Sequence, residues 1–278
     1  IFKARNKNKF IDVIGFDGLK NLKDLRFDSC LAAQEFKLFD ATFSRLNFLK
    51  SIYISLGDFQ EMTNKGFQCV GNLESLTFIN PKNNSHLTFA NLPRLKSLHC
   101  MGIEWQSINF DSQLCLDDLH LISCSINREN IQQLASTIDF SKNMSNLRSL
   151  TLINNKLKSI HPSISLLTKL ESLDLSANLF KPRANMFDNL SIIKSLNLSR
   201  NYGLTKLVNN MFRGLDNLVK LEISNCKLVE IESDVFSDLP QLKSLILACN
   251  RLKLENTDVF RHLTQLNELN LFHNSLQH

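Results

Sequence analysis

The fold is decided by the stretch Leu170–Asn178, LESLDLSAN. Leu170, Leu173 and Leu175 are followed, three residues after the last of them, by Asn178. The leucines at 173 and 175 predict a short strand, because alternate residues of a strand face the same side and both leucines then enter one core. The asparagine predicts a buried amide, which can satisfy backbone groups of the neighbouring turn where the chain leaves the strand.

The same spacing recurs along almost the whole chain. A longer form, F-x-x-L-x-x-L-x-x-L-x-L-x-x-N, is complete at Phe236–Asn250, and about eleven copies can be aligned. Units that repeat in this way stack on their neighbours and share one continuous core. We therefore predict an α/β fold: a right-handed, horseshoe-shaped solenoid with a parallel concave β-sheet. Phenylalanine, with 20 residues against 2 Tyr and 1 Trp, is expected to fill the core behind the sheet.

The two halves of this array differ at the asparagine position, which we call the ladder position. The last six strands have Asn there five times, with Cys226 as the exception, whereas the first five have Cys30, Gly57, Pro81, Ile103 and Cys124. We predict a single array over residues 1–278, with irregular repeats at 10–124 and regular repeats at 125–278. The ladder cysteines are interpreted as free, buried thiols. Neither end has a polar terminal cap, so the chain is interpreted as a fragment of a longer array.

One repeat is longer than the others. Central strand leucines lie 21 to 27 residues apart, but Leu119 and Leu150 are 31 apart. The extra residues near 125–145 have apolar side chains at helical spacing. Two interpretations remain open: a longer helix on the convex side, or a protruding loop that contacts a partner.

Motifs for chemistry are absent from the sequence. It has no nucleophile elbow, phosphate-binding loop, dinucleotide-binding glycine motif or zinc-protease helix, so we predict neither an enzyme nor a cofactor. The seven cysteines include no closely spaced pair, and no metal site is predicted. There is no specific nucleic-acid motif, and the basic segment Lys3–Lys9 is interpreted as solvated. No apolar stretch approaches the roughly 20 residues of a membrane span, so any membrane attachment is expected through segments outside this chain.

The strongest candidate for a binding surface is on the concave face. The position after each strand is apolar in four consecutive repeats, whereas it is usually polar elsewhere. These residues form a predicted stripe beside one tyrosine and two histidines. Exposed apolar patches often mark binding surfaces, although neighbouring loops could instead bury the stripe. The candidate contact residues are Tyr53, Ile79, His99, Met101, His120, Ile122 and Ile153.

The two histidines of this surface are expected to be neighbours. His99 and His120 occupy equivalent positions on consecutive strands. Two imidazolium groups in such positions repel each other, so acidification could weaken or reshape this face. The alternative is a pair of independently solvated side chains.

The repeat unit of about 24 residues, as in Phe236–Asn250, resembles the typical repeat of animal extracellular leucine-rich repeat proteins. These include Toll-like receptor ectodomains, Slit-type proteins and secreted immune repeat proteins. The resemblance covers about residues 10–276, and the irregular first repeats are most similar to those of Toll-like receptors. It implies extracellular recognition of a protein, co-receptor or microbial ligand, with a receptor dimer as a further expectation. The alternatives are a Slit-type adhesion or matrix-organising protein and an intracellular scaffold.

Four N-x-S/T sequons agree with an extracellular location. They lie at Asn83, Asn143, Asn189 and Asn197, and each is a candidate glycosylation site. Asn197 is expected at the centre of the concave sheet, where a glycan would block part of that face. Its alternative is an unmodified asparagine on an open strand.

Overall fold

A computed structural model of the protein describes residues 18–28, 36–38, 43, 46–55, 59–62, 70–79, 87–89, 92–103, 108–110, 114–124, 144–253 and 257–276. The described residues belong to two compact units, divided between Leu147 and Arg148. Several predicted features lie outside the described residues: the ladder positions Cys30, Gly57 and Pro81, the sequons at Asn83 and Asn143, and almost all of the long repeat at 125–145.

The first unit is organised on a parallel sheet with strand order β1–β3–β5–β7–β9. Consecutive strands pair in register, so equivalent repeat positions are direct neighbours. Two shorter parallel pairs, β2–β4 and β6–β8, lie between them in sequence. The strands are β1 (Asp24–Asp28), β2 (Phe36–Leu38), β3 (Ser51–Ser55), β4 (Phe59–Met62), β5 (Ser75–Ile79), β6 (Leu87–Phe89), β7 (Ser97–Met101), β8 (Ile108–Phe110) and β9 (Asp118–Ile122).

The second unit has shorter strands in the same arrangement. Its main parallel strands follow the order β10–β11–β12–β14–β16–β17, and β13 pairs with β15. Two 3₁₀ helices, Pro162–Leu166 and Thr257–Phe260, are also present. The strands are β10 (Ser149–Thr151), β11 (Ser172–Asp174), β12 (Ser195–Asn197), β13 (Lys206–Leu207), β14 (Lys220–Glu222), β15 (Glu230–Ile231), β16 (Ser244–Ile246) and β17 (Glu268–Asn270).

The predicted leucine-rich repeat solenoid with a parallel sheet is confirmed. Its main strands number eleven in the described residues, one at each predicted repeat, whereas the number of regular turns is about seven. The repeat count therefore differs slightly from the prediction. Helix is also scarcer than an α/β class implies, since the described residues contain 3₁₀ helices and turns but no α-helix.

The three-residue spacing of the leucines has a direct physical cause. Leu190 N–H donates to Phe187 O, and Ile193 N–H donates to Leu190 O, at 3.2 and 3.1 Å. The same pair of turn bonds follows Phe43, Phe212 and Phe236. Each bond joins residues three apart, as in a 3₁₀ turn, so side chains at that spacing fall on one side. The F-x-x-L-x-x-L segment consequently brings its apolar residues into the core before the strand begins.

Phenylalanines stack behind the strands of the second unit. The rings of Phe187, Phe212, Phe236 and Phe260 follow one another with centroid separations of 6.1, 6.2 and 6.1 Å. The planes differ by at most 14°. Phe187, Phe212 and Phe236 are at most 1% exposed, and Phe has no polar atom that would need a partner there. The predicted role of phenylalanine as core filler is confirmed at these positions.

The ladder asparagines satisfy backbone groups of two turns at once. Asn178, 3% exposed, accepts N–H bonds from Asn155 and Leu157 of the preceding turn at 2.9 and 3.0 Å. Its amide nitrogen donates to the carbonyls of Leu152 and Leu175 at 2.8 and 2.9 Å. Equivalent bonds are made by Asn201, Asn250 and Asn274. The structural role predicted for this amide is therefore confirmed.

A cysteine at the ladder position supplies the hydrogen-bond donor of the asparagine amide but not its oxygen acceptor. Cys226 is buried, and its thiol donates to Leu198 O and Ser224 O at 3.3 and 3.5 Å. Cys124 donates likewise to the carbonyls of Cys100 and Ile122. Burial raises the pKa of each of these two thiols to about 11, which keeps the donating proton in place at neutral pH. The interpretation of Cys124 and Cys226 as free, buried ladder residues is confirmed.

The turn after each strand uses a left-handed backbone conformation. The residue before the ladder position has a positive φ in eight described repeats, although only one of these residues is glycine. Such a conformation costs a non-glycine residue about 1–3 kcal/mol, so the surrounding hydrogen bonds must enforce it. Ala177 and Arg200, for example, each donate their N–H to the next repeat at 2.8 Å. The eight are Gly102, Ser123, Asn154, Ala177, Arg200, Asn225, Cys249 and His273.

Replacing a ladder asparagine should therefore destabilise the fold. We expect Asn178→Ala to lower the free energy of unfolding by about 3 kcal/mol, because it leaves two buried N–H groups without an acceptor. Asn178→Cys should lose less, because a thiol retains the donor. Chemical denaturation monitored by circular dichroism measures both.

The matched control is Asn217→Ala. Asn217 also donates to a backbone oxygen in an adjacent repeat, at 2.8 Å, but it is exposed to solvent. We expect this change to cost no more than about 1 kcal/mol. Equal losses for Asn178→Ala and Asn217→Ala would contradict the ladder's structural role.

Candidate functional site

The open face of the first unit contains most of the predicted contact residues. Strands β3, β5, β7 and β9 each alternate between half-buried and buried side chains, and the half-buried residues belong to the open face. Six of the seven candidates lie on strands β3, β5, β7 and β9 at half-buried positions: Tyr53, Ile79, His99, Met101, His120 and Ile122. Ile153 belongs to the second unit and is half-buried there.

Three apolar side chains form a continuous row on this face. Ile79 pairs with Met101, and Met101 pairs with Ile122, so the three lie side by side at the carboxyl ends of β5, β7 and β9. None belongs to the buried core, which on these strands consists of the alternate residues such as Leu98 and Leu119. We call Ile79, Met101 and Ile122 the apolar row. The row is partly accessible to solvent, so these three side chains are not fully buried.

A second row runs parallel to it, two residues earlier on each strand. Arg26, Tyr53, Thr77, His99 and His120 occupy successive registered positions. The Arg26 guanidinium lies over the Tyr53 ring, with Cζ 4.2 Å from the ring centroid, as in a cation–π contact. Arg26 was not among the contact residues predicted from the sequence, although the alignment of the repeats places it beside Tyr53.

The two histidines are in contact. Their ring centroids are 5.3 Å apart, and the planes are tilted by 40°. His99 Nε2 is buried and has no hydrogen-bond partner among the described residues. Burial, and then the charge of His120, lowers the pKa of His99. The predicted adjacency is confirmed, and the geometry favours a neutral His99 ring.

The open face of the second unit uses the same positions for structural hydrogen bonds. Asp174 Oδ1 accepts the N–H of Ser176 at 2.8 Å, and Asn197 Oδ1 accepts the N–H of Ser199 at 2.9 Å. Ser176 and Ser199 are only 8% and 7% exposed. The position after the strand is therefore nearly buried in these two repeats, whereas Phe272 at the equivalent position after β17 is 66% exposed.

The two described sequons differ in accessibility. Asn189 is exposed, with φ 69°, and lies in a turn outside the strands. Asn197 is half-buried on β12, where its Nδ2 donates to Asp174 at 3.1 Å. A glycan on Asn197 would have to displace these contacts, whereas Asn189 presents no such obstacle.

The described residues contain no group of three or more His, Cys, Asp or Glu that could hold a metal ion. Nor does the described part of the chain include a helix with the length and apolarity of a membrane span. Among the described residues, the open face of the first unit combines the apolar row with Tyr53, the two histidines and polar side chains such as Thr77.

We expect acidification to destabilise the first unit through His99. Its folded pKa lies below the 6.5 of an unperturbed histidine, so the unfolded chain binds its proton first as the pH falls. Stability should therefore decline as the pH drops from about 6.5 towards the lower folded pKa. The loss should stay below about 1 kcal/mol, because the ring is partly exposed and solvent screens its charge. Thermal unfolding at pH 7.5 and 5.5 measures it.

His99→Gln should reduce this pH dependence. Thr77→Val is the control, since Thr77 pairs with His99 on the same face but does not titrate. An unchanged difference between the two pH values in His99→Gln would refute the assignment to His99.

Comparison with solved structures places this geometry in a known fold. The Toll–Spatzle complex of Drosophila matches with a TM-score of 0.60 and 21% identity over 95% of this chain and 34% of that chain. The complex of TLR13 with ssRNA13 matches with a TM-score of 0.49 and 22% identity, over 94% of this chain and 54% of that chain. The chain thus spans about a third to a half of these proteins. At such identity the Toll likeness shows the fold alone.

Sequence comparison identifies the repeats themselves. No curated protein matches the chain. The family model described as "Leucine rich repeat" matches residues 216–276, and the model described as "BspA type Leucine rich repeat region (6 copies)" matches residues 119–243. Together they extend over residues 119–276, which is more than half of the chain. With the ladder asparagines and the parallel strands, these matches show that the chain belongs to the leucine-rich repeat superfamily.

Proposed function

We propose that this chain is an extracellular recognition domain that binds a protein or pathogen-derived ligand, as in an innate immune receptor. The observation that supports it most directly is the registered apolar row Ile79–Met101–Ile122, partly exposed beside Tyr53 and the His99–His120 pair. A partner that covers the row would remove three apolar side chains from water. Apolar and aromatic side chains near the centre of an interface usually contribute most of the binding energy.

The rigidity of the sheet favours this interpretation. The strands are held in register by backbone bonds on both sides, and each central strand side chain is fixed between two neighbours. Little conformational entropy is then lost when a ligand binds, which improves affinity for a given contact area. Binding of this kind requires no catalytic group.

The compared Toll structure supports the class of function by analogy. It is a complex of Toll with Spatzle, described as a hub in development and innate immunity. A shared fold does not by itself transfer a ligand, so the contact residues of this chain must be tested directly. Ile153 stays a proposed contact residue of the second unit.

Glycosylation tests the extracellular part of the proposal. When the chain is secreted from animal cells, we expect a glycan on Asn189 and an unmodified Asn197, because Asn189 is exposed in a turn whereas the Asn197 side chain bonds to Asp174 and Ser199. Peptide mass spectrometry after enzymatic deglycosylation in heavy-oxygen water reports each site. The sequons at Asn83 and Asn143 are read in the same experiment. Secretion without a glycan at any of Asn83, Asn143 and Asn189 would count against an extracellular protein.

The apolar row can be tested by site-specific crosslinking. We expect a photoreactive residue at Ile79 or Ile122 to capture a defined protein from the extracellular fluid of the source organism. The same residue at Leu166, which is 50% exposed and lies in a 3₁₀ helix off the open face, is the matched control. The captured protein is then purified, and its affinity is measured by surface plasmon resonance.

Substitution within the row should weaken that affinity strongly. Ile79→Asp and Ile122→Asp each place a carboxylate where the ligand excludes water, and we expect at least a tenfold rise in Kd. Leu166→Asp should change Kd less than twofold. Equal capture at Ile79 and Leu166, or an unchanged Kd in Ile79→Asp, would exclude the apolar row as the contact.

A further inference from the structure

A separate surface of the second unit is formed by the residues that directly follow the ladder position in each repeat. In three repeats, a buried leucine is flanked by two exposed residues: Leu157, Leu228 and Leu252 are at most 1% exposed. Their neighbours face solvent in the segments Lys156–Lys158, Lys227–Val229 and Arg251–Lys253. This alternation fixes the outward direction of the flanking side chains.

These segments run side by side. Leu179 N–H donates to Leu157 O, and Arg251 N–H donates to Leu228 O, each at 2.8 Å. Val229 N–H donates to Thr205 O at the same distance. Adjacent chains joined in this way lie about 5 Å apart, so exposed residues of successive repeats form a continuous edge.

The exposed side chains of this edge are mostly cations. None of them forms an ion pair with a carboxylate in the described part of the chain, whereas nearby Lys206 contacts both Glu230 and Glu232. The sequence has no acidic residue at 151–170, 175–187 or 198–215, so the preceding turns supply no compensation. We call six of these cations the basic edge: Lys156, Lys158, Lys181, Lys227, Arg251 and Lys253.

Such an edge is electrostatically unfavourable when unoccupied. Like charges at neighbouring chain positions repel, and the repulsion is reduced only by salt. A linear polyanion would replace this repulsion with attraction, and counterions released from it would add to the affinity. The repeat geometry therefore favours an extended anionic ligand over a compact one.

The apolar side chains at the edge indicate which class of polyanion it is suited to bind. Single-stranded nucleic acids usually bind where exposed aromatic rings stack on the bases. The large exposed apolar side chains here include the aliphatic Leu179 and Val229, and Tyr202 already has the Lys227 ammonium over its ring at 5.2 Å. A sulfated sugar chain needs no stacking platform, and its sulfate oxygens accept charge-assisted hydrogen bonds from lysine and arginine side chains.

We propose that the basic edge binds a sulfated polysaccharide. This site is on the second unit and is independent of the apolar row, so it goes beyond the proposed recognition of a protein or pathogen-derived ligand. It would hold the chain near sulfated sugars of a cell surface or matrix.

The test uses heparin as the probe. The edge variant contains Lys156→Gln, Lys158→Gln, Lys181→Gln and Arg251→Gln. The control contains Lys194→Gln, Arg213→Gln, Lys220→Gln and Lys243→Gln, four exposed cations of the same unit outside the edge. At physiological salt we expect Kd to rise on the order of tenfold or more in the edge variant and less than threefold in the control. The dependence of Kd on salt should also become shallower only in the edge variant.

Three outcomes would overturn the proposal. The first is an equal loss in the edge variant and the control. The second is unchanged binding of fully desulfated heparin, which would show that sulfate is not recognised. The third is tighter binding of polyglutamate or oligothymidine than of heparin at equal charge, which would indicate an acidic protein or a nucleic acid instead.

A second measurement does not depend on the variants. Hydrogen exchange of the wild-type chain with a heparin octasaccharide should show protection at 156–158 and 251–253, and its absence would also refute the site. Ile79→Asp should leave heparin binding unchanged. The two proposals, heparin binding at the basic edge and ligand binding at the apolar row, are therefore tested independently.

Discussion

The structure depends on satisfying buried backbone groups each time the chain leaves a strand. The strands of the second unit are only two or three residues long, so the ladder asparagine must supply the bonds that a longer sheet would provide. Asn178 accepts two N–H bonds and donates to carbonyls of its own and the preceding turn. The same turn forces the preceding residue into a left-handed conformation, even when it is alanine or arginine. Cysteine at this position keeps the donor and loses the strong acceptor.

These bonds and the core fix some positions of each repeat and leave two other kinds of position unconstrained by the fold. Leucines, phenylalanines and ladder residues are fixed by the core, as the stacked rings of Phe212 and Phe236 illustrate. The outward side chains of β5, β7 and β9, and those just after the ladder, have no such structural role. Both proposed surfaces, the apolar row of the first unit and the basic edge of the second, consist of residues at these less constrained positions. Recognition can therefore change without loss of the fold.

The two units use their open faces differently. In the second unit, Asp174, Asn197 and Asn270 each accept the N–H of the residue two positions later, so their side chains help to end the strands. The corresponding positions of β5, β7 and β9 are Thr77, His99 and His120. Strands of five residues continue past these positions by backbone pairing, which leaves Ile79, Met101 and Ile122 on the sheet. The difference leaves three registered apolar side chains on the open face of the first unit, whereas Ser176 and Ser199 occupy the equivalent positions in the second.

The sequence by itself determined the repeat, the strand positions, the phenylalanine core and the ladder, because each follows from a local spacing that recurs every 21 to 27 residues in most repeats. It also placed Ile79, Met101 and Ile122 side by side, since in-register pairing follows from aligning the copies. Tertiary structure alone decided that Ser176 and Ser199 are nearly buried and that Arg26 lies over Tyr53, because side-chain contacts across repeats set both. It also brought Lys156, Lys227 and Arg251 to one edge. In the chain these cations are separated by whole repeats, and only the stacking of turns about 5 Å apart makes them a single charged surface.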